Sequence, residues 1–164
     1  SKGKSDRELR EKRLHFGMVF QSFNLFPQYT ALENVTLAER LLAQKTEEFS
    51  KNKKEVLDRI NKHGMELLDK MGLADRMDHY PHQLSGGQQQ RIAIARALIN
   101  QPRIILADEP TGNLDSENSR RVIDLLKQTT NEYGMTLLMV THDADIAKQA
   151  DHCIHLVDGR IQQN

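Results

Sequence analysis

The sequence predicts an α/β fold with a parallel sheet and an inserted helical segment. Three short apolar runs, at residues 14–20, 104–107 and 136–140, read as strands. Each is followed by a polar cluster and a stretch of helical period, which is typical of parallel strands covered on both faces by helices. Residues 31–80 carry only helical patterns. We therefore expect a helical insertion within one α/β domain.

The helices of the insertion are predicted from capping residues and apolar period. Thr30 and Glu33 have the spacing of a capping box, which predicts a helix over residues 31–42. Asn52 and Glu55 have the same spacing, and a second helical pattern begins there and runs until Gly72.

The second half of the chain has its own start and stop signals. Asp115 or Ser116 can cap a helix that ends at Gly134. The turn Asp158-Gly159 lies between two short apolar runs and predicts a terminal hairpin over residues 154–163.

Composition excludes several classes of function. The chain has 164 residues with 23 basic and 23 acidic side chains, so it has no basic excess to bind nucleic acid or an anionic membrane. Aromatic residues are 5% of the chain and Trp is absent, which disfavours a base-stacking surface. The single cysteine, Cys153, fits a reducing cytosol, and no apolar run is long enough to cross a bilayer. We expect a soluble chain with no direct membrane insertion and no nucleic-acid partner.

The most specific motif is LSGGQQQR at residues 84–91. Ser85 can cap a helix with Gln88 at its third position, while Gly86 and Gly87 let an anion approach the backbone. The free N–H groups and the dipole of such a helix start favour a phosphate. A glycine-containing helix cap is the ordinary alternative for Ser-Gly-Gly alone. The full octapeptide resembles the signature of the ABC-type ATPases.

A second motif, RIILADE, places an acidic pair after the strand at residues 104–107. Ligands bind at the carboxyl edge of such sheets, and a carboxylate from Asp108 suits Mg²⁺. Glu109 points differently and can polarise a water that attacks a γ-phosphate. This stretch resembles the Walker B strand of the same family.

Three further residues follow the family's order. Gln21 resembles the Q-loop glutamine, which in the family contacts the metal or the attacking water and senses the transport subunit. Asp115, in GNLD, resembles the D-loop aspartate that crosses the dimer interface, and it can also be a simple helix cap. His142 matches the switch histidine, whose imidazole can donate to a γ-phosphate oxygen. The resemblance covers nearly the whole chain.

The resemblance implies a P-loop NTPase-like sheet core with an inserted helical subdomain, which lacks its N-terminal portion. Residues 1–30 and 96–164 would form a partial RecA-like catalytic core, and residues 31–95 a helical subdomain ending in the signature. It also implies ATP and Mg²⁺ as cofactors, and ATP hydrolysis coupled to transport. The partners would be a transmembrane permease subunit and a second ATPase subunit, on the cytoplasmic face of the cell membrane.

The wording of the motifs narrows the branch of the family. ADEPTGNLD and FQSFNLFPQYTALENV resemble the lipoprotein-release and macrolide-export ATPases, whereas YPHQLSGGQQQRIAIARAL is also similar to polar amino acid importers. Ala107 and the segment Thr111-Gly112-Asn113 favour the first group. DNA-repair and chromosome-organising ATPases share these motifs but insert long coiled coils, and only 64 positions separate Gln21 from Ser85 here.

The opening SKGKSD contains the last three letters of a phosphate-binding loop, Gly3-Lys4-Ser5. The loop also needs a glycine five positions before Gly3, and the residues that follow carry no apolar stripe except Leu9. We expect Gly3-Lys4-Ser5 to be a polar turn, the sheet core to be incomplete, and the chain to be inactive alone. The alternative function is a non-hydrolysing remnant or regulatory fragment.

Overall fold

A three-stranded parallel sheet lies at the centre of the computed structural model, which describes residue 8 and residues 12–162. The strands are β1 (Phe16–Phe20), β2 (Ile104–Asp108) and β3 (Thr136–Val140), in the spatial order β1-β2-β3. The predicted α/β class with a parallel sheet is confirmed. The prediction for Gly3-Lys4-Ser5, and that for Leu9, lie outside the described residues.

Five α-helices follow one another along the described part of the chain: α1 (Ala31–Ala43), α2 (Glu47–Lys70), α3 (Gly86–Leu98), α4 (Ser116–Glu132) and α5 (Ala144–Ala147). Two 3₁₀ turns, Ala74–Arg76 and Pro81–Gln83, connect α2 to α3. The helical insertion between β1 and β2 is therefore confirmed.

The start of α2 differs from the prediction. The sequence pattern placed a helix start at Asn52, but the helix begins at Glu47, where the Thr46 side chain accepts a hydrogen bond from the Phe49 amide at 3.2 Å. Asn52 has φ −133° and ψ 45°, outside the helical region, so two helical segments meet at a kink there, and the second begins after Asn52 as the pattern predicts. The charge-rich segment before Asn52 has few apolar residues, which is why hydrophobic period did not reveal the first turns.

The hydrophobic core joins the insertion to the sheet. Its largest fully buried side chains come mainly from α2, α3 and β2, and they include Leu67, Leu68, Ile92, Ile94, Leu98 and Ile105. Helix α3 packs against both α1 and β1. The insertion and the sheet therefore share one continuous core.

Only one face of the sheet is covered within the described residues. Val19, Ile105 and Ala107 are buried on the face that α3 and α4 cover. Alternate residues point to the other face, where Met18 is 48% exposed and Leu138 58% exposed. Parallel sheets normally bury both faces, so this apolar open face fits the expected incomplete core.

A terminal hairpin lies after α5. It pairs β4 (His155–Val157) with β5 (Arg160–Gln162) in antiparallel register. Asp158 and Gly159 both have positive φ, 49° and 73°, as a two-residue hairpin turn of type I′ requires. The predicted hairpin is confirmed. Among the described helices, none is both long and apolar enough to cross a membrane.

Candidate functional site

The carboxyl ends of the three parallel strands meet at one edge of the sheet. The register pairs Asp108 with Phe20 on one side and with Val140 on the other. Gln21 follows the first strand directly, and His142 lies two residues after the third. The strand order therefore gathers at one edge the polar residues that the sequence predicts for catalysis.

Asp108 stands at this edge on the open face of the sheet. Strand alternation buries Ala107 toward the helices and leaves Asp108 exposed. The carboxylate is therefore available to a ligand that lies over the open face, and oxygen donors of this kind suit Mg²⁺.

Glu109 and His142 form a hydrogen-bonded pair, with 2.8 Å between Nδ1 of the imidazole and Oε1 of the carboxylate. An ionised carboxylate can only accept, so Nδ1 donates and Nε2 is the second ring nitrogen available to a ligand. This hydrogen bond, together with the negative charges of Glu109 and Asp143, raises the pKa of His142. The imidazole is 84% exposed and the carboxylate side chain 21% exposed, so the pair lies at an accessible edge.

The backbone of Glu109 is held in the left-handed region at φ 45°. This conformation is unfavourable for a residue with a Cβ, by about 1 kcal/mol or more, and such strain concentrates at functional sites. Two hydrogen bonds stabilise it. The Glu109 amide donates to the Val140 carbonyl at 2.9 Å, and the Gly112 amide donates to the Glu109 carbonyl at 3.0 Å. The carboxylate is thereby directed to one position beside β3.

Gln21 is bound to the turn that follows Glu109. Its Nε2 donates to Oδ1 of Asn113 at 3.3 Å, and Nδ2 of Asn113 donates back to the Gln21 carbonyl at 3.0 Å. A Cβ on Gly112 would lie 2.5 Å from Nε2 of Gln21, so only glycine permits this approach. The loop after β1 and the turn after β2 are therefore joined directly.

The LSGGQ segment begins helix α3 as predicted. The Ser85 hydroxyl accepts from the Gln88 amide at 3.3 Å, and the Gln88 side chain accepts from the Ser85 amide at 2.9 Å. The capping box is confirmed. Gly87 is buried, and a Cβ there would collide with Oδ1 of Asn118. Gly86 is partly exposed, so in this chain the second glycine serves close packing against α4, and only the first is near solvent.

Asp115 caps α4 beside this helix start. Its carboxylate accepts from the amides of Glu117 and Asn118 at 3.0 and 2.9 Å, and from Nδ2 of Asn118 at 2.6 Å. These hydrogen bonds, the Asn118 amide first, hold the pKa of Asp115 below its usual range. Since Asn118 also packs on Gly87, it connects the starts of α3 and α4.

The predicted site residues thus fall into two groups. The edge group is Gln21, Asp108, Glu109 and His142, and the helix-start group is Ser85, Gly86, Gly87, Gln88 and Asp115. In the part of the chain that the structure describes, no side-chain hydrogen bond or ion pair joins one group to the other. The functional roles of all nine residues stay predictions.

Two residues that the sequence analysis did not single out hold the edge group in place. Arg96 donates to the carbonyls of Asn24 at 2.6 Å and Phe23 at 3.0 Å, in the loop after Gln21, where both residues have positive φ. Gln90 is fully buried and donates to the carbonyl of Phe20, at the end of β1, and to that of Pro110, in the turn after β2. Its position four residues before Ile94 on the buried side of α3 was a signal available in the sequence.

The fold and the edge together define a nucleotide-cassette class of α/β protein, with a helical insertion and an acidic pair after a central parallel strand. The sequence profile of the ABC transporter family matches residues 2–112. The chain belongs to the ABC transporter family, as the motifs predict.

Relatives from the favoured group, the lipoprotein-release and macrolide-export ATPases, are found. The lipoprotein-releasing system ATP-binding protein LolD of Bacteroides fragilis is 44% identical over 165 residues, which cover 97% of this chain and 71% of that protein. The macrolide export ATP-binding/permease protein MacB of Rhodopirellula baltica is 45% identical over 150 residues, or 92% of this chain and 21% of that protein.

The fold matches solved ATP-binding cassettes. A dimeric structure of the bacterial ABC transporter cassette MJ0796 superposes with a TM-score of 0.78 and 42% identity, covering 98% of this chain and 66% of the cassette. A dimeric post-hydrolysis state of MJ0796 with ADP and Pi bound superposes equally well, at 41% identity. The chain therefore spans slightly less than two thirds of these cassettes, and the predicted family fold is confirmed.

Proposed function

We propose that this chain supplies the signature helix and the catalytic edge of an ATP-hydrolysing subunit that powers an ABC transporter. The observation that carries the proposal is the Glu109–His142 pair, 2.8 Å apart, at the strand edge that also holds Asp108 and Gln21. A carboxylate and an imidazole in contact, next to a second exposed carboxylate, match the needs of phosphoryl transfer to water.

Asp108 and Gln21 are the residues that would hold Mg²⁺. Both side chains carry oxygen atoms; Asp108 is exposed at the open-face edge, and Gln21 directly follows the neighbouring strand end. Bound there, the metal ion would neutralise negative charge on the phosphate oxygens. In the described residues no group of three or more His, Cys, Asp and Glu side chains gathers around one point. Water and phosphate oxygens would therefore complete the coordination, as is usual for Mg²⁺.

Glu109 would accept a proton from the attacking water. Its Oε1 is engaged by His142, so the proton goes to the other oxygen, Oε2. His142 would hold the carboxylate through Nδ1 and donate through Nε2 to a phosphate oxygen when the ring is protonated. The raised pKa of His142 increases the protonated fraction at neutral pH and so supports this role.

The helix-start group would serve a nucleotide bound by a second ATPase subunit. The dimeric state of the MJ0796 cassette supports this part of the proposal. The Gly86 amide has no intrahelical acceptor and is near solvent, so it can bind phosphate together with the hydrogen of the Ser85 hydroxyl. Asp115, beside them, would lie at the interface between subunits.

The division of the chain and its partners belong to the same proposal. Residues 1–30 and 96–164 would act as the catalytic core, and residues 31–95 as the helical subdomain that contacts a transmembrane permease subunit at the cytoplasmic membrane face. The macrolide export relative, named an ATP-binding/permease protein, supports a permease partner. Helix α3 continues across residue 95, so the division concerns function and not separate folding.

Residues 1–164 alone are proposed to have no ATPase activity. They contain no G-x-x-x-x-G-K-[ST] loop, which supplies most of the phosphate contacts in such domains. The apolar open face supports the same view, because Met18 and Leu138 need a covering layer. A titration with a fluorescent ATP analogue and Mg²⁺ is expected to show no saturable micromolar binding. Such binding, if abolished by Lys4→Ala, contradicts this part of the proposal.

A non-hydrolysing regulatory fragment is the alternative function. The two are separated by an ATPase assay on a chain extended upstream to include a complete phosphate-binding loop, with Glu109→Gln as the control. Turnover that falls at least a hundredfold in the Glu109→Gln variant supports the enzyme, since general-base catalysis typically contributes that factor. Nucleotide binding without turnover in both chains supports the regulatory fragment.

A further inference from the structure

We propose that Gln90 is a positioning residue that ties the signature helix to the two strand ends from which Gln21 and Glu109 extend. This inference rests on the proposed function for its catalytic meaning. Its structural basis is one buried amide group on α3, five residues after Ser85.

The Gln90 amide bridges the end of β1 and the turn that follows β2. Its Nε2 donates to the Phe20 carbonyl at 3.1 Å and also to the Pro110 carbonyl. Phe20 directly precedes Gln21, and Pro110 directly follows Glu109. An amide nitrogen carries two hydrogens, so both donors are used, one for each strand end.

The three consecutive glutamines of the motif have different partners. Gln88 closes the capping box with Ser85, and Nε2 of Gln89 donates to the Leu84 carbonyl at 3.0 Å. Gln90 alone among them is fully buried and bonds outside its own helix and cap. Gln89 is therefore a matched control for Gln90.

The carbonyl oxygen of the Gln90 side chain shows that glutamine is not the residue that packing alone would favour at this position. Its Oε1 is buried without a hydrogen-bond partner in the described structure. A buried carbonyl without a partner destabilises a fold, and an apolar side chain of similar size would avoid that cost. The donated hydrogen bonds, which only the Nε2 side provides, are the specific property of a glutamine here.

The consequence is a mechanical link between the two groups of site residues. No direct hydrogen bond joins the described side chains of the helix-start group to those of the edge group. Gln90, however, lies on the helix of the first group and bonds the carbonyls of Phe20 and Pro110, which are the chain neighbours of Gln21 and Glu109 in the second. A shift of α3 along its axis would displace both strand ends together. Contacts made at Ser85 would thus alter the positions of Gln21 and Glu109.

The test uses three variants of the 164-residue chain: Gln90→Leu, Gln90→Glu and Gln89→Leu. The measurements are NMR amide hydrogen exchange, and the resonances of the Gln21 side-chain amide and the His142 ring at fixed pH. Gln90→Leu is expected to speed exchange at Gly112 roughly fivefold to thirtyfold, the factor that one or two lost hydrogen bonds correspond to. Exchange in the middle of α4 is expected to stay unchanged, while the Gln21 and His142 resonances both shift.

Gln90→Glu tests the donor role even if Gln90→Leu fails to fold. Its ionised carboxylate would face two carbonyl oxygens, whereas the protonated acid can donate to one of them. Protection at Gly112 is therefore expected to recover in part as the pH is lowered, and Gln89→Leu is expected to resemble the parent chain. Lost global stability with unchanged Gln21 and His142 resonances, or equal effects of Gln89→Leu, would overturn the proposal. None of these measurements uses nucleotide, so they stand apart from any failure of the proposed ATPase function.

Discussion

Asn34 offers a sharp test of how the loop after Gln21 is held. The side chain is fully buried at the fourth position of α1. Its Nδ2 lies 3.1, 3.0 and 3.0 Å from the carbonyls of Phe26, Tyr29 and Thr30, which share its two hydrogens, and its Oδ1 accepts from the Phe26 amide at 2.8 Å. One side chain therefore closes the loop that leads from the strand edge into the insertion.

The loss of stability expected for a substitution of Asn34 follows from the number of hydrogen bonds that its side chain makes. Each buried hydrogen bond contributes about 1 kcal/mol net, and a buried group left without a partner costs about 1–3 kcal/mol. Asn34→Ala removes the whole set, so we expect a loss of about 2–4 kcal/mol in the free energy of unfolding. That is a large share of the ~5–15 kcal/mol typical of a folded domain.

Asn34→Asp adds a pH dependence with a definite sign. The substituted carboxyl is buried against three carbonyl oxygens, so its folded pKa is raised above the unfolded value of about 3.9. The folded state then holds a proton that the unfolded state has released, and stability falls as pH rises. Between the unfolded and folded pKa values the slope is about 1.4 kcal/mol per pH unit.

Urea unfolding followed by circular dichroism, at several values between pH 4.5 and pH 8, measures both effects. The exposed Asn52→Asp is the control, for which a change within about 0.5 kcal/mol is expected. An Asn34→Asp variant that loses less than about 1 kcal/mol at pH 7, with the same loss at every pH, would refute the reasoning.

Three other predictions concern single contacts. The pKa of His142, measured by NMR, is expected to lie above the ordinary ~6.5, and to fall toward that value in the Glu109→Gln variant. The stabilisation of the fold by the Glu109–His142 pair is present below pH ~6.5 and is lost as the pH rises through the folded pKa. Gly72→Ala is expected to destabilise the fold by about 1–2 kcal/mol in urea unfolding, because Gly72 has φ +66° and a Cβ would lie 3.3 Å from Nη1 of Arg91. The control is Gly134→Ala, since Gly134 has a similar φ of +62° but open space around it. A loss for Gly72→Ala no greater than that for Gly134→Ala would show that the Arg91 contact does not matter. Glu132 and Tyr133 raise the pKa of Lys70 to about 12, yet the Lys70 side chain is 40% exposed and solvent screens its charge. Lys70→Met is therefore expected to lower the free energy of unfolding by no more than ~1 kcal/mol in urea unfolding. A larger loss would show that the cluster is better shielded from solvent.

The sequence was sufficient for those elements whose ends carry local signals. The Thr30–Glu33 and Ser85–Gln88 capping boxes fixed two helix starts, and both form as predicted. Strand β3 coincides with its predicted range, because an apolar run bounded by Gly134 and a polar cluster has few alternatives. The placement of Asp108 at the carboxyl edge of the sheet also followed from the rule for ligand sites in parallel sheets, whereas Gln21 and His142 were singled out by their resemblance to family motifs.

The features of the site that could not be predicted from the sequence depend on contacts between residues that are distant along the chain. Asn113 is 92 positions from Gln21, and no local pattern indicates their reciprocal hydrogen bonds. Gly87 looks like a glycine that admits an anion, yet its missing Cβ makes room for Asn118. The early start of α2 was missed because a charged, solvent-exposed helical turn carries no apolar period.

The long connection from β1 to β2 has a consequence for synthesis of the chain. Ile104 lies 84 positions after Phe20, and the whole helical insertion lies between them. At a ribosomal rate of roughly 5–20 residues per second, β1 emerges on the order of 4–17 seconds before its only neighbour in the described sheet, β2. During that interval α1 and α2 can fold through local contacts, while β1 presents unpaired backbone and apolar side chains. The nascent chain is thus exposed to aggregation longest at the strand that precedes Gln21.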